Sequence, residues 1–322
     1  MALGTMTFGT EWGWGADKDE SKKIFDAYVN AGGNFIDTAN RYTEGTSEKF
    51  VGEFIQSDRD HFVLATKYTL YDKLNDVNYS GNHRKNMMRS VEASLKRLNT
   101  AYIDLLWLHA WDFLTPVEEV LRGLDDLVRS GKIHYIGISD TPAWIVSRAN
   151  AIAELRGWTQ FTGLQVEYNL LQRTAERDLL PMAKELQIAL TPWAPLAGGT
   201  LTGKYLKGEK GRVSENSARR NKEKTLIVES LVDVAKTLEV TPAQLAIRWT
   251  MQKEQTSIPI VGANKVLQIE ESLGSVKFSI PDEQMNILNE VSKIEMGFPH
   301  DFLAGEDVKN VVYGGTKQLI IK

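Results

Sequence analysis

Along nearly the whole chain, short apolar or β-branched runs alternate with longer segments whose apolar residues recur at helical spacing. The runs are Leu3–Phe8, Asn34–Thr38, Phe62–Lys67, Ile103–His109, Ile133–Ser139, Thr162–Glu167, Ile188–Trp193 and Ser257–Val261. Between them lie amphipathic stretches such as DESKKIFDAYVNAGG, HRKNMMRSVEASLKRLNT, VEEVLRGLDDLVRSGK and PAWIVSRANAIAELRG. Several carry end signals: Asp17 and Asp19 at the first helix entry, Gly32 and Gly33 past its end, Pro142 opening the fifth. Eight strand–helix units in strict alternation predict an α/β fold, a closed parallel (β/α)8 TIM barrel, whose usual size is about 250 residues. A doubly wound sheet would announce itself by a glycine-rich first turn. GWGAD after the first run has two glycines and no third.

The surplus length has a place in this scheme. A polar segment, GEKGRVSENSARRNKEK, interrupts the seventh unit and reads as a long loop. The helices ESLVDVAKTLEV and PAQLAIRWTMQK follow it, then an extra C-terminal helix, DEQMNILNEVSKI, and an aromatic-bearing tail, GFPHDFLAGEDVKNVVYGG. With no linker or low-complexity tract, residues 1–322 read as a single domain.

Three of the apolar runs end on or beside residues that can handle a proton. They are Asp37 and, five residues on, Tyr42 in NFIDTANRYTEGTSE; Lys67 in FVLATKY; and His109 in IDLLWLHAWD. In a (β/α)8 barrel the C-terminal strand ends share one mouth, so these positions converge. A phenol starts near pKa 10, too high for easy exchange at neutral pH. An adjacent ammonium stabilises the phenolate, and a carboxylate offsets the ammonium's burial. Tyr42 is therefore expected to act as general acid toward a carbonyl oxygen, tuned by Lys67, with Asp37 as that lysine's partner. His109 is expected to orient the carbonyl. Each of the four has a structural reading too, as a loop-amide acceptor, a packing ring, a charge partner or a buried core histidine; together at one barrel end they favour chemistry.

Composition excludes several other classes. Lys+Arg 38 against Asp+Glu 42 gives a net charge of −4 and no reason to expect nucleic acid. No apolar run approaches the roughly 20 residues that cross a bilayer, and MALGTMTFGTEWGWG lacks the basic flank and apolar core of a signal peptide. The chain has no cysteine, which suits a reducing, cytoplasmic setting and removes thiolate nucleophiles and Cys-ligated metals. His61, His83, His109, His134 and His300 show no ligand spacing, so no metal is expected. A serine hydrolase would need a G-x-S-x-G elbow, which is missing. A paired-carboxylate glycosidase stays open on composition, with Glu167 as its one candidate acid, but no second carboxylate is evident and Lys67 and Tyr42 beside Asp37 argue against it.

The motifs LGTMTFG, GGNFIDTANRYTEGTSE, ATKY, DLLWLHAWD, GKIHYIGISD, LQVEYNLL, TPWAPLAGGTLTGKY and IPIVGANKVLQIEESL, in this order, resemble those of the aldo-keto reductase superfamily over nearly the whole chain. EWGWG and GFPHDFL resemble its aryl-alcohol dehydrogenase-like branch. The resemblance implies a barrel that binds NADP(H) across its mouth and reduces carbonyls by hydride transfer. NAD(H) stays open. It assigns a catalytic tetrad to Asp37, Tyr42, Lys67 and His109. It matches Ser139, Asp140 and Gln165 to residues that hold the nicotinamide carboxamide, and Trp193, followed by Ala194, to the aromatic that stacks on the ring. Leu196, Gly198 and Leu201 match a loop whose backbone approaches the pyrophosphate. Gly262, Asn264, Lys265, Gln268, Glu271 and Ser272 match the region around the adenosine 2′-phosphate and adenine.

Departures from the family pattern bear on that assignment. Asp140 stands where many members carry asparagine, and an ionised acid accepts but cannot donate. Gln268 replaces a frequent arginine and Ser272 a frequent asparagine, so grip on a 2′-phosphate is expected to rest partly on Lys265 or the basic loop Arg212–Lys224, whose other reading is a solvated, mobile surface. Members usually carry a hairpin before the first strand, whereas this chain starts almost directly at Leu3, and exposed strand ends there would lower stability. An aromatic pocket for an aryl or apolar carbonyl is expected from Trp12, Trp14 and Trp111, with Tyr68, Phe113, Phe298, His300 and Phe302 as further candidates. The expected protein is a monomer acting on a small-molecule carbonyl. The rival reading is a nicotinamide-sensing regulatory subunit, which an intact tetrad does not exclude.

Overall fold

The computed structural model describes residues 1–211, 213–252 and 255–320. Eight parallel strands carry the fold: β1 Ala2–Gly4, β2 Phe35–Asp37, β3 Val63–Tyr68, β4 Ile103–Leu108, β5 Ile133–Ser139, β6 Phe161–Glu167, β7 Ala189–Trp193 and β8 Ile260–Gly262. They pair in sequence order from β1 to β7, and β1 also pairs with β8. A parallel bridge from Leu190 to Ser257, just ahead of β8, joins the remaining seam through Leu190 N to Thr256 O at 2.9 Å and Ile258 N to Leu190 O at 2.8 Å. The sheet is thus a nearly closed (β/α)8 barrel, as the alternation predicts.

Helices clothe the barrel: α1 Lys18–Asn30, α2 Thr46–Phe54, α3 Arg84–Leu98, α4 Val117–Arg129, α5 Ala143–Arg156, α6 Leu179–Glu185, α7 Lys222–Thr237, α8 Pro242–Met251 and α9 Val266–Leu273. Asp17 caps α1, accepting from the Glu20 amide at 2.9 Å, and Gly32 follows its end at φ +85°. Pro142 opens α5. On α4 the buried residues Val117, Val120, Leu121, Leu124 and Leu127 follow helical spacing, each contributing roughly 1.5–3 kcal/mol by leaving water. The extra C-terminal helix, α10 (Asp282–Val291), packs on α7, and the tail forms two short helices, α11 (His300–Ala304) and α12 (Glu306–Tyr313). Among the described residues no helix is long and apolar enough to cross a membrane.

Inside the barrel a single indole fills much of one level. Trp107 of β4 is fully buried, and it occupies the space that side chains at Gly137 of β5 and Gly163 of β6 would need.

Most strand ends lie within one residue of the sequence reading, and two strands, β1 and β8, differ by more. β1 stops at Gly4, because Thr5 turns to donate its hydroxyl to the Asp37 carbonyl (3.1 Å), and Phe8 bridges Ala16 instead. β8 is Ile260–Gly262, later than Ser257–Val261. β1 is hydrogen-bonded on both flanks, and Ala2 and Leu3 are fully buried, so it presents no lateral open edge.

Candidate active site

β2 ends on Asp37, β3 carries Lys67 one residue before its end, and His109 directly follows β4. Tyr42 opens a turn, Tyr42–Gly45, in which Thr43 and Glu44 both adopt left-handed backbone at φ 45° and 55°. Such conformations persist in non-glycine residues only when neighbours hold them. Here the Thr43 hydroxyl donates to Phe8 O at 2.6 Å and accepts from Ser47 N at 3.2 Å. The strained turn fixes where Tyr42 points.

Lys67 is wholly buried, and all three of its ammonium donors are used. They reach Asp37 Oδ2 at 2.5 Å, the Thr38 carbonyl at 2.8 Å and Tyr42 Oη at 3.1 Å. The other Asp37 oxygen accepts from Gln165 Nε2 at 3.0 Å, which ties β6 into the same network. The Tyr42 and His109 rings lie 6.1 Å apart, edge to face at 82°. His109 Nδ1 is buried and has no hydrogen-bond partner among the described residues.

Burial pulls Lys67 down, but Asp37 and Tyr42 outweigh it and hold the ammonium above its usual range. Tyr42 moves the opposite way from the sequence expectation. Burial pushes the phenol up, Lys67 pulls it back, and Asp37 and Asp140 add to the push, so the net direction is upward. The ammonium's field is largely matched by Asp37, which is why it does not overcome desolvation. The phenol is therefore protonated at neutral pH but a weaker acid than a free tyrosine, and Lys67, 3.1 Å from its oxygen, is the group placed to offset that by stabilising a phenolate.

Burial, helped by Lys67, lowers His109 to about 3. The imidazole is therefore neutral across physiological pH. Because the unfolded chain binds this proton near the ordinary value of about 6.5 and the folded chain does not, stability is full above that value and is lost as pH falls toward 3. By pH 4.5 the loss from this one group is about 2–3 kcal/mol. His109→Asn is expected to flatten that part of the stability curve, measured as denaturation midpoints between about pH 6.5 and 4.5; equal slopes in both proteins would refute it.

Tyr42, His109 and Asp37 open onto a cleft of about 660 Å³, within the usual range for ligand sites. Of the residues matched to cofactor, Ser139, Asp140, Gln165, Trp193, Ala194, Leu196, Gly198, Gly262, Asn264, Gln268, Glu271 and Ser272 line it. Two do not. Leu201 is buried in the core, and Lys265 lies outside the cleft lining, with its following helix held by Val266 N to Glu20 Oε1 at 3.1 Å. The Gln268 side chain accepts from Asn264 N at 3.0 Å. Of the basic loop, Arg219 lines the cleft and pairs with Glu167, the sixth-strand carboxylate, while Arg212 lies outside the described residues. Glu167 is thus engaged by a guanidinium, which disfavours it as a free glycosidase acid.

Gly198 and Gly199 both have left-handed backbone, at φ 68° and 91°. A Cβ on Gly198 would sit 3.2 Å from Arg219 Nη1, and one on Gly199 3.1 Å from Lys204 Nζ. The missing side chains leave a concave stretch of backbone between two cations. At the neighbouring wall Trp193 Nε1 donates to Asp140 Oδ1 at 3.2 Å. Burial raises Asp140 above the usual carboxylate range, Trp193 opposes this, Glu167 adds to it and Lys67 opposes it.

On the substrate side only Trp12 of the expected aromatics lines the cleft. Trp14 leans on Trp12 at 5.7 Å from outside, and Trp111 packs against the core. Tyr68 is buried, and Phe113, Phe298, His300 and Phe302 are exposed away from the cleft. Arg41, absent from the sequence reading, lines the cleft beside Tyr42. Its guanidinium sits over the rings of Tyr71 (4.4 Å) and Trp12 (5.7 Å), donates to Tyr71 Oη at 2.8 Å and pairs with Glu44 at 2.5 Å. Glu44 also accepts from Trp12 Nε1 at 3.1 Å. This clasp joins the loops after β1, β2 and β3 into one wall. Its only sequence signal was an arginine adjacent to the candidate acid.

Among the described residues no three of His, Cys, Asp and Glu gather as a metal site would require.

The profile described as "Aldo/keto reductase family" matches residues 1–293. An aryl-alcohol dehydrogenase [NADP(+)] of Phanerodontia chrysosporium is 38% identical over 97% of this chain and 87% of its own length. Norsolorinic acid reductase B of Aspergillus parasiticus is 40% identical over 95% of this chain and 84% of its own. A probable aryl-alcohol dehydrogenase of Saccharomyces cerevisiae is 36% identical over 90% and 93%. With the barrel and its mouth as described, and a family match across nine-tenths of its length, this chain belongs to the aldo/keto reductase family of oxidoreductases.

Proposed function

We propose that this chain is an NADP(H)-dependent carbonyl reductase that converts aryl or apolar aldehydes and ketones to alcohols. The observation that carries the proposal is the fully buried Lys67, hydrogen-bonded at once to Asp37 and Tyr42, behind a cleft that Tyr42 and His109 both line. The residues present fit a nicotinamide dinucleotide: a flat indole at Trp193, side-chain-free backbone at Gly198–Gly199 between Lys204 and Arg219 for the pyrophosphate, and Asn264, Gln268 and Ser272 at the far end. NADP(H), when bound, supplies the hydride.

The chain's own groups do the rest. His109, neutral, orients the carbonyl oxygen, and Tyr42 gives that oxygen its proton as charge develops there. Lys67 stabilises the phenolate, and Asp37 keeps Lys67 charged. Trp12, held by Glu44, offers an apolar face to the substrate. The names of two relatives support the aryl character, and one of them supports NADP. Among the described residues no cation on α9 or in the loop before it lines the cleft, whereas Lys204 and Arg219 do. A chain without cysteine suits a reducing compartment, and we extend the proposal to a monomer acting in the cytoplasm.

The test is loss of reduced-nicotinamide absorbance with 4-nitrobenzaldehyde, NADPH against NADH. Turnover faster with NADPH is the expected result. Nucleotide binding without turnover over a panel of aryl and alkyl carbonyls would replace this reading with that of a nicotinamide-sensing subunit.

A further inference from the structure

Asp140 directly follows β5 and lines the cleft with Trp193, Tyr42 and His109. Its Oδ1 accepts from the Trp193 indole. Among the described residues no cation lies within ion-pair distance of it, whereas the other carboxylates nearby are matched: Asp37 by Lys67 and Glu167 by Arg219. Asp140 is therefore the uncompensated charge at this end of the cleft. It acts on the same neighbourhood as the proton donor, since its charge raises Tyr42 and the Lys67 charge is felt by Asp140 in turn.

A carbonyl whose oxygen is held at Tyr42 must receive its hydride from a ring in van der Waals contact with the carbonyl carbon. The flat surface available for that ring is the indole of Trp193, and the edge of the indole is where Asp140 binds. A nicotinamide ring is neutral when reduced and cationic when oxidised. A fixed carboxylate beside it distinguishes the two forms by charge; an amide of the same shape does not.

We propose that the Asp140 carboxylate makes this site selective for the oxidation state of its nucleotide, strengthening the hold on cationic NADP+ relative to neutral NADPH. This rests on the function proposed above and deepens it. Carbonyl reduction would move a hydrogen with both electrons of its C–H bond from the reduced ring to the carbonyl carbon, where a new C–H bond forms. The C=O π pair moves onto oxygen, which takes the Tyr42 proton, while the ring becomes positive. Asp140 lies where that positive charge appears, so it favours the hydride transfer and retains the oxidised product, while its charge opposes loss of the Tyr42 proton. The clear consequence is at nucleotide release, which is slowed for the oxidised form.

The experiment is a calorimetric titration of NADP+ and NADPH into wild type, Asp140→Asn and Trp193→Phe, without substrate. Asparagine keeps an acceptor for the indole and tolerates the left-handed backbone at this position, φ 41°. Asp140→Asn is expected to weaken NADP+ about tenfold and NADPH by less than about threefold. Trp193→Phe, which removes the indole N–H and keeps the charge, is expected to weaken both forms and preserve their ratio. If Asp140→Asn weakens both forms equally, or neither, the carboxylate only positions the indole and the inference is overturned. If wild type binds neither nucleotide, the proposed function itself falls; binding of both with a ratio unmoved by Asp140→Asn sinks only this inference.

Discussion

Tyr42→Phe is expected to lower carbonyl turnover by about 10²–10⁴-fold while leaving nucleotide binding and the fold in place. The hydroxyl is the only atom removed, and its partner is Lys67 at 3.1 Å. Lys67 keeps two acceptors, Asp37 and the Thr38 carbonyl, so no buried charge is stranded. The stability change is accordingly that of one hydrogen bond, about 0.5–1.5 kcal/mol. Steady-state kinetics beside a denaturation midpoint separate the two effects. A variant that turns over at the wild-type rate would remove Tyr42 from the role of proton donor, whatever the family pattern implies.

Lys67→Met is expected to be damaging in a different way. It deletes the one cation that, among the described residues, pairs with Asp37, a carboxylate 2% exposed, and strands that charge away from water. Breaking one side of a buried pair destabilises by about 3–5 kcal/mol, far more than the loss of the Tyr42 hydroxyl. Asp37→Asn added to Lys67→Met removes the stranded charge and keeps an acceptor for Gln165. The double variant is therefore expected to regain most of the lost stability in a urea melt and none of the lost turnover. If the single and double variants melt alike, the Asp37 charge is not what the lysine supports.

The barrel was legible because its signal is repeated. Eight apolar runs with helical segments between them leave little choice of topology, and errors of a few residues at β1 or β8 do not disturb it. The gathering of Asp37, Tyr42, Lys67 and His109 at one barrel mouth was legible for a related reason: a lysine at the end of an apolar strand, as in FVLATKY, is conspicuous where a core residue is expected. Which aromatics face the cleft was not legible. Trp12 and Trp14 are two residues apart in the same loop, and only their packing decides that one lines the cleft and the other backs it. The Arg41 clasp was equally hidden, since it depends on left-handed Thr43 and Glu44, residue types that do not advertise such a turn. Lys265 was a reasonable sequence candidate for a phosphate, but its place outside the cleft is set by the start of α9, which a charge count does not see.

The pairing of β1 with β8 carries a consequence for how the chain is made. Leu3 and Val261 are partners in the sheet, yet nearly the whole protein separates them. At ribosomal rates of about 5–20 residues per second, the first strand emerges on the order of tens of seconds before its neighbour exists. During that interval Ala2–Gly4 can pair only with β2, and its far side is an unprotected template. The first strand of the barrel thus stays open to mispairing on one flank until synthesis of the eighth strand closes the ring.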